Sequence, residues 1–116
     1  MEKRVEFNWL LDFYGPLLTD HRLRVARMYC EEDMSLSEIA QQMGISRQGV
    51  HDALAKAYAQ LETYESRLGM LERYRRIEAE VERCRSCLEK ICASEQTRPA
   101  LEEALRALGN IEWIER

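Results

Sequence analysis

Two helix-start signals stand eleven residues apart with a glycine between them, and this spacing restricts the chain more than any other feature. Ser35 and Glu38 form S-x-x-E. In that arrangement the serine hydroxyl and the glutamate carboxylate satisfy each other's backbone N–H groups, so a helix starts at Leu36. Leu36, Ile39, Ala40 and Met43 recur at helical spacing and form its apolar face. Gly44 can take the left-handed conformation that closes a helix tightly. Ile45 then packs under the turn and Ser46 caps the next helix, whose inward stripe is Val50, Leu54, Ala57 and Leu61. Small Ala40 stands where two such helices cross. Residues 35–58 therefore read as a helix-turn-helix.

The same 3–4 spacing runs along nearly all of the 116 residues, and runs of β-branched residues are missing. The expected fold class is all-α: an N-terminal helix-turn-helix domain over 1–62, then a long helix and a C-terminal helix over 63–116. A first helix is expected over 3–14 with Val5, Trp9, Leu10 and Phe13 inward, ended by Gly15-Pro16. Thr19 caps a second over 20–31, with Leu23, Ala26, the stem of Arg27 and Cys30 inward. Glu31, Glu32 and Asp33 put negative charge where the helix macrodipole disfavours it, so that helix stops there. A long helix over 70–92 would be about 35 Å long. Its stripe of Ile77, Val81, Cys84, Leu88 and Ile91 exceeds what a small core can cover, which leads us to expect a homodimer through residues 70–114. Thr97 and Pro99 open the last helix, with Leu101, Leu105 and Leu108 inward. Gly109-Asn110 ends or bends it ahead of an apolar tail of Ile111, Trp113 and Ile114.

A helix-turn-helix presents the N-terminal turns of its second helix to a partner. Here the candidate nucleic-acid contacts are Arg47, Gln48, His51 and Lys56: arginine and glutamine suit base edges, and a helix N-terminus suits a phosphate. The bland alternative is a helical hairpin with a solvated face. Charge argues for restraint. The chain carries a net charge of −4, and residues 19–61 hold five basic and six acidic side chains. Phosphate neutralisation supplies most sequence-independent affinity for nucleic acid. Asp52 sits within the candidate face and opposes it.

Apolar residues at 46% and charged residues at 33% argue against both disorder and a membrane span. Charges scattered through the N-terminus rule out an apolar signal-peptide core, and the cytoplasm is the default location. Cys84 and Cys87 form C-x-x-C on a helix, with Cys92 nearby, but a closed zinc site needs a fourth ligand that the sequence does not offer. Cys30 and Cys84 read as small core residues. No metal, no cofactor and no catalytic residue is expected, because no nucleophile–base pairing, phosphate-cradling glycine loop or paired carboxylate is present.

The stretches DFYGPLLT (Asp12–Thr19), DMSLSEIA (Asp33–Ala40) and GISRQGVHD (Gly44–Asp52), continued by LETYESRLGMLERY (Leu61–Tyr74), resemble the YlxM family of small bacterial helix-turn-helix proteins, themselves related to the fourth conserved region of sigma factors. The resemblance covers about residues 5–75. It implies an all-helical fold, self-association and an accessory or regulatory role in the signal recognition particle pathway, with RNA or a protein component of that pathway as partner. The chain departs from the family pattern at Gly49 and His51, where alanine and an aromatic are expected, and mildly at Leu54. The rival expectations are a sequence-specific DNA-binding transcription regulator and a pure protein-interaction module.

Overall fold

The computed structural model describes the backbone of residues 3–115 and the side chains of residues 3–111. Its elements are α1 (Lys3–Tyr14), a 3-10 turn (Gly15–Leu17), α2 (Asp20–Cys30), α3 (Leu36–Met43), α4 (Arg47–Leu68), α5 (Met70–Glu89) and α6 (Arg98–Glu115), so the fold is all-α. Residues 1–71 form one compact unit and residues 72–116 a second.

In the first unit α4 packs against α1, α2 and α3. Its buried face is Val50, Ala53, Leu54, Ala57 and Leu61. The two alanines on that face let neighbouring helices approach closely. Ile39 of α3 is fully buried beside it, and Val25, Ala26 and Met28 come from α2. The turn before α2 holds Gly15 because a Cβ there would lie 3.2 Å from Leu23 Cδ1 and 3.3 Å from Leu11 Cδ1.

The face of α1 differs from the expected one. Phe7, Leu10, Leu11 and Tyr14 are buried, Val5 is exposed, and Trp9 and Phe13 flank the core. Both sets have helical spacing, and only contact with α2 and α4 decides between them. On α2, Val25 and Met28 take the central places, Leu23 and Cys30 are half-buried, and Arg27 is exposed. Leu68, the last residue of α4, is exposed.

The acidic C-terminus of α2 is offset by a residue from α1. The Arg4 guanidinium donates to the Tyr29 carbonyl, pairs with Asp33 at 2.9 Å and lies 4.2 Å from the Tyr29 ring centroid. Asp33 itself adopts a φ of 54°, a left-handed conformation that aspartate tolerates better than most residues. Burial pushes the Cys30 thiol up to about 11, so it stays protonated at neutral pH and behaves as a small apolar group.

Gly69, at φ 62°, ends α4 and lets α5 begin immediately. Two side chains cap the new helix. The Tyr14 hydroxyl donates to Glu65 Oε1 at 2.6 Å and accepts from the Met70 N–H at 3.0 Å, while Glu65 Oε1 also accepts from the Leu71 N–H at 2.9 Å. Burial, then the bond to Glu65, raises the Tyr14 phenol above its ordinary value.

In the second unit α5 ends at Glu89, three residues short of the expected end. Its stripe is partly covered: Val81 is buried, Ile77 and Leu88 are half-buried, and Cys84 and Ile91 are exposed. Tyr74, not assigned to the stripe, is buried. Ser94 and Thr97 bond each other reciprocally in the turn before α6, with Ser94 N–H to Thr97 Oγ1 at 3.0 Å and Thr97 N–H to Ser94 Oγ at 3.3 Å. Helix α6 passes through Gly109-Asn110 without a break; a single glycine costs only about 1 kcal/mol inside a helix. Leu101, Leu105 and Leu108 are half-buried and Ile111 is exposed. The side chains of Trp113 and Ile114 lie outside the described residues. No helix of the described residues is long and apolar enough to cross a membrane.

Tyr14→Phe removes the acceptor of the Met70 N–H and one donor to Glu65 at once. The expected loss is about 1–3 kcal/mol in urea unfolding, with faster amide exchange at Met70 and Leu71. An unchanged midpoint and unchanged exchange would show that the helix junction holds without the phenol.

Candidate nucleic-acid interface

The turn between α3 and α4 is built as the residue pattern expects. Ser35 Oγ accepts from the Glu38 N–H at 3.1 Å, and the Glu38 carboxylate accepts from the Ser35 N–H at 3.3 Å, which completes the capping box. Gly44 ends α3 at φ 69° and ψ 32°, and the N–H groups of Gly44 and Ile45 both turn back to the Ala40 carbonyl. Ser46 Oγ accepts from the Gly49 N–H at 2.9 Å. A Cβ on Gly49 would lie 3.1 Å from that same oxygen, so the glycine gives the capping hydroxyl its room.

These caps set which side chains leave the surface at the start of α4. Arg47, Gln48, His51, Asp52, Ala55 and Lys56 are all exposed. The first turn of α4 carries no acidic side chain. The N–H groups of Arg47 and Gln48, at the first two helical positions, are among those that no intrahelical carbonyl can reach. Three of the exposed side chains form a cluster. Gln48 Nε2 donates to Asp52 Oδ1 at 3.0 Å, and His51 Nδ1 lies 3.7 Å from the same oxygen. Asp52 thus engages two of the candidate contacts, while Arg47 and Lys56 extend from the helix on either side of that cluster in sequence. The second helix of the motif is long: its 22 residues span about 33 Å.

Arg22 is engaged away from this end. Arg22 of α2 bonds Gln60 Oε1 at 3.0 Å. Gln60 stands thirteen residues beyond Arg47 on α4, about 20 Å along the axis. Arg76 pairs with Glu72 at 3.2 Å within α5.

A second feature was not legible from residue spacing. A groove of 480 Å3 lies alongside α4 in the first unit, between the start of α1, the end of α2 and the start of α3. Lys3, Arg4, Phe7, Tyr29, His51 and Tyr58 are among the residues that line it. Four separate elements contribute, so no local pattern announces it; only the aromatic Phe7, Tyr29 and Tyr58 offered a signal. Of the cysteines, Cys84, Cys87 and Cys92 are exposed, which corrects the expectation that Cys84 is a core residue. Its position on α5 has the right helical phase, but nothing covers it enough to bury it.

Gly44→Ala should cost about 1–2 kcal/mol of stability, because a Cβ at this φ is strained even though the space around it is open. Gly44→Asn should cost less. Equal thermal midpoints for both variants and the parent would contradict the assignment of a left-handed turn.

Comparison with known proteins matches residues 1–104 to the model of a family, UPF0122, described as "Putative helix-turn-helix protein, YlxM / p13 like". Similar proteins include a UPF0122 protein of Caldanaerobacter subterraneus, 43% identical over 79 residues that make up 68% of either chain. One from Geobacillus kaustophilus is 39% identical over 78% of this chain and 82% of its own. Another, from Halalkalibacterium halodurans, is 32% identical over 88% of this chain and 94% of its own.

Proposed function

From the premise that the chain belongs to the UPF0122 family of YlxM/p13-like helix-turn-helix proteins, we propose that it is a non-enzymatic regulatory or accessory protein that contacts nucleic acid through the first two turns of α4. The observation that carries this reading is the capped, acid-free first turn of α4 with Arg47, Gln48, His51 and Lys56 exposed around it. Arg47 meets a phosphate. Gln48 exchanges its bond to Asp52 for a base edge, and Lys56 holds a second phosphate a little over two turns further on. The affinity is modest, since Asp52 repels the backbone of any nucleic acid that reaches Arg47 and the chain as a whole is acidic. Structured RNA is the better partner than duplex DNA, because unpaired bases can be contacted without a wide basic surface.

The resemblance of Asp12–Thr19, Asp33–Ala40 and Gly44–Asp52 to the YlxM pattern supports a role beside the signal recognition particle in the cytoplasm, with its RNA or a protein component as partner. Self-association through residues 70–114 is part of the same reading. It is supported by the exposed apolar side chains Met70, Ile91 and Ile111. A dimer would carry two copies of the α4 end to one ligand and raise a weak affinity by effective concentration.

Titration of labelled structured RNA and duplex DNA at two salt concentrations tests the contact. Arg47→Ala should weaken both and lower the salt slope by about one counterion. Asp52→Asn should strengthen both about fivefold, the effect of about 1 kcal/mol between unit charges at contact in water. Nanomolar, sequence-selective duplex binding at physiological salt would replace this reading with a transcription regulator. No binding to either, with Arg47→Ala indistinguishable from the parent, would leave a protein-interaction module.

Sedimentation at micromolar concentration tests self-association. Val81 is already buried within the chain, so the informative variants are the exposed ones. A dimer is expected for the parent and a folded monomer for Ile91→Glu with Ile111→Glu. A parent that sediments as a monomer sinks the proposal.

A further inference from the structure

The groove beside α4 has the chemistry of a stacking site. Its most buried lining is apolar: Phe7 is 5% exposed and Leu54 8%. Tyr29 and Tyr58 are half-buried. Phe7 meets Tyr58 edge-on, with ring centroids 5.2 Å apart and planes at 61°, which holds the Tyr58 ring at a set angle. Cations stand over both tyrosines: Lys3 Nζ is 5.2 Å from the Tyr58 centroid and the Arg4 guanidinium 4.2 Å from that of Tyr29. Ala55 and Ala59 are exposed and small, and they keep the α4 side open.

We propose that this groove receives one unpaired nucleobase from a single-stranded segment of the nucleic acid whose phosphates Arg47 engages. The proposal rests on the reading of α4 given above and names the kind of nucleic acid that it takes. Continuity supports it. His51 belongs to both places: it sits one turn beyond Arg47, and the groove continues one further turn along, at Ala55. A strand held at the start of α4 can therefore deliver its next base into the groove. Charge supports it through Lys3. Arg4 is committed to Asp33 and the Tyr29 carbonyl and His51 lies 3.7 Å from Asp52 Oδ1, which leaves Lys3 at the lining to face a phosphate, with the Glu62 carboxylate as the acidic group there. Lys3 is exposed and can shift from the Tyr58 ring to that phosphate as the base takes its place.

The volume of 480 Å3 falls within the roughly 300–1,000 Å3 of small-ligand sites. Stacking also resolves the electrostatic difficulty of an acidic chain that holds a polyanion. Every base has a π-face, and affinity gained on aromatic rings does not scale with the number of phosphates neutralised. A paired base stays inside the duplex stack and cannot enter, so the groove selects loops, bulges and ends.

The test uses the full chain and a fluorescein-labelled hairpin RNA with a single-stranded loop, beside a blunt duplex of the same stem. The double variant Ala55→Leu, Ala59→Leu fills the groove at exposed helix positions and adds no ring. It should lose about tenfold in affinity for the loop RNA, within the range that one stacked base contributes, and bind the blunt duplex unchanged. Tyr58→Leu, with circular dichroism to verify the fold, should show the same selective loss. Arg47→Ala should weaken both probes. If the groove-filling variant binds the loop RNA as the parent does while Arg47→Ala still weakens it, the groove proposal is overturned and the α4 contact stands. If Arg47→Ala is also without effect, both fall. A nucleoside monophosphate that binds the parent and is lost in the groove-filling variant, without displacement by the loop RNA, overturns the proposal in favour of a free-nucleotide pocket.

Discussion

The buried face of α4 is the constraint on which the rest of the first unit depends. Val50, Ala53, Leu54, Ala57 and Leu61 form one stripe, and α1, α2 and α3 each pack against it. Because the stripe is fixed, so is the opposite side of the helix. Arg47, Gln48, His51, Asp52 and Lys56 are at the surface because the residues between them are committed to the core. Core and candidate interface are thus two sides of one periodicity, and a shift of the stripe by one residue would rotate both by about 100°.

Electrostatics then decides what the exposed side can do. The shape is that of a helix-turn-helix, yet the chain carries a net charge of −4, which works against the phosphate neutralisation that supplies most sequence-independent affinity for nucleic acid. Asp52 accepts from Gln48 and attracts His51, which orders the face and at the same time places a negative charge inside it. Arg22 is held 3.0 Å from Gln60, far along α4. What remains is a small polar end with an aromatic groove one turn away. Under the proposed function, that combination serves a ligand held by shape and unpaired bases more than by charge.

The junction after α4 belongs to the same design. Gly69 permits the turn, but Tyr14 and Glu65 determine where α5 begins, by taking its first two free N–H groups. A residue of the first helix therefore governs the start of the fifth.

Local chemistry was legible in the residues. The capping box at Ser35 and Glu38, the left-handed Gly44, the caps at Thr19 and Ser46, and the stripe from Val50 to Leu61 all follow from interactions within four or five residues, and the all-α class follows with them. The exposure of Arg47, Gln48, His51 and Lys56 was legible for the same reason. Non-local packing alone decided the rest. Helix α1 offered two apolar faces of helical spacing, and contact with α2 and α4 chose Phe7, Leu10, Leu11 and Tyr14 over Val5, Trp9 and Phe13. Arg4 serves the end of α2, Tyr14 the start of α5, and four elements assemble the groove. Each joins residues far apart in the chain whose meeting depends on the docking of whole helices, for which residue spacing carries no signal. By itself the sequence determined where α2, α3 and α4 begin and which side of α4 faces water; tertiary structure decided what stands beside that side, because only packing brings Lys3, Tyr29 and Tyr58 to the same place.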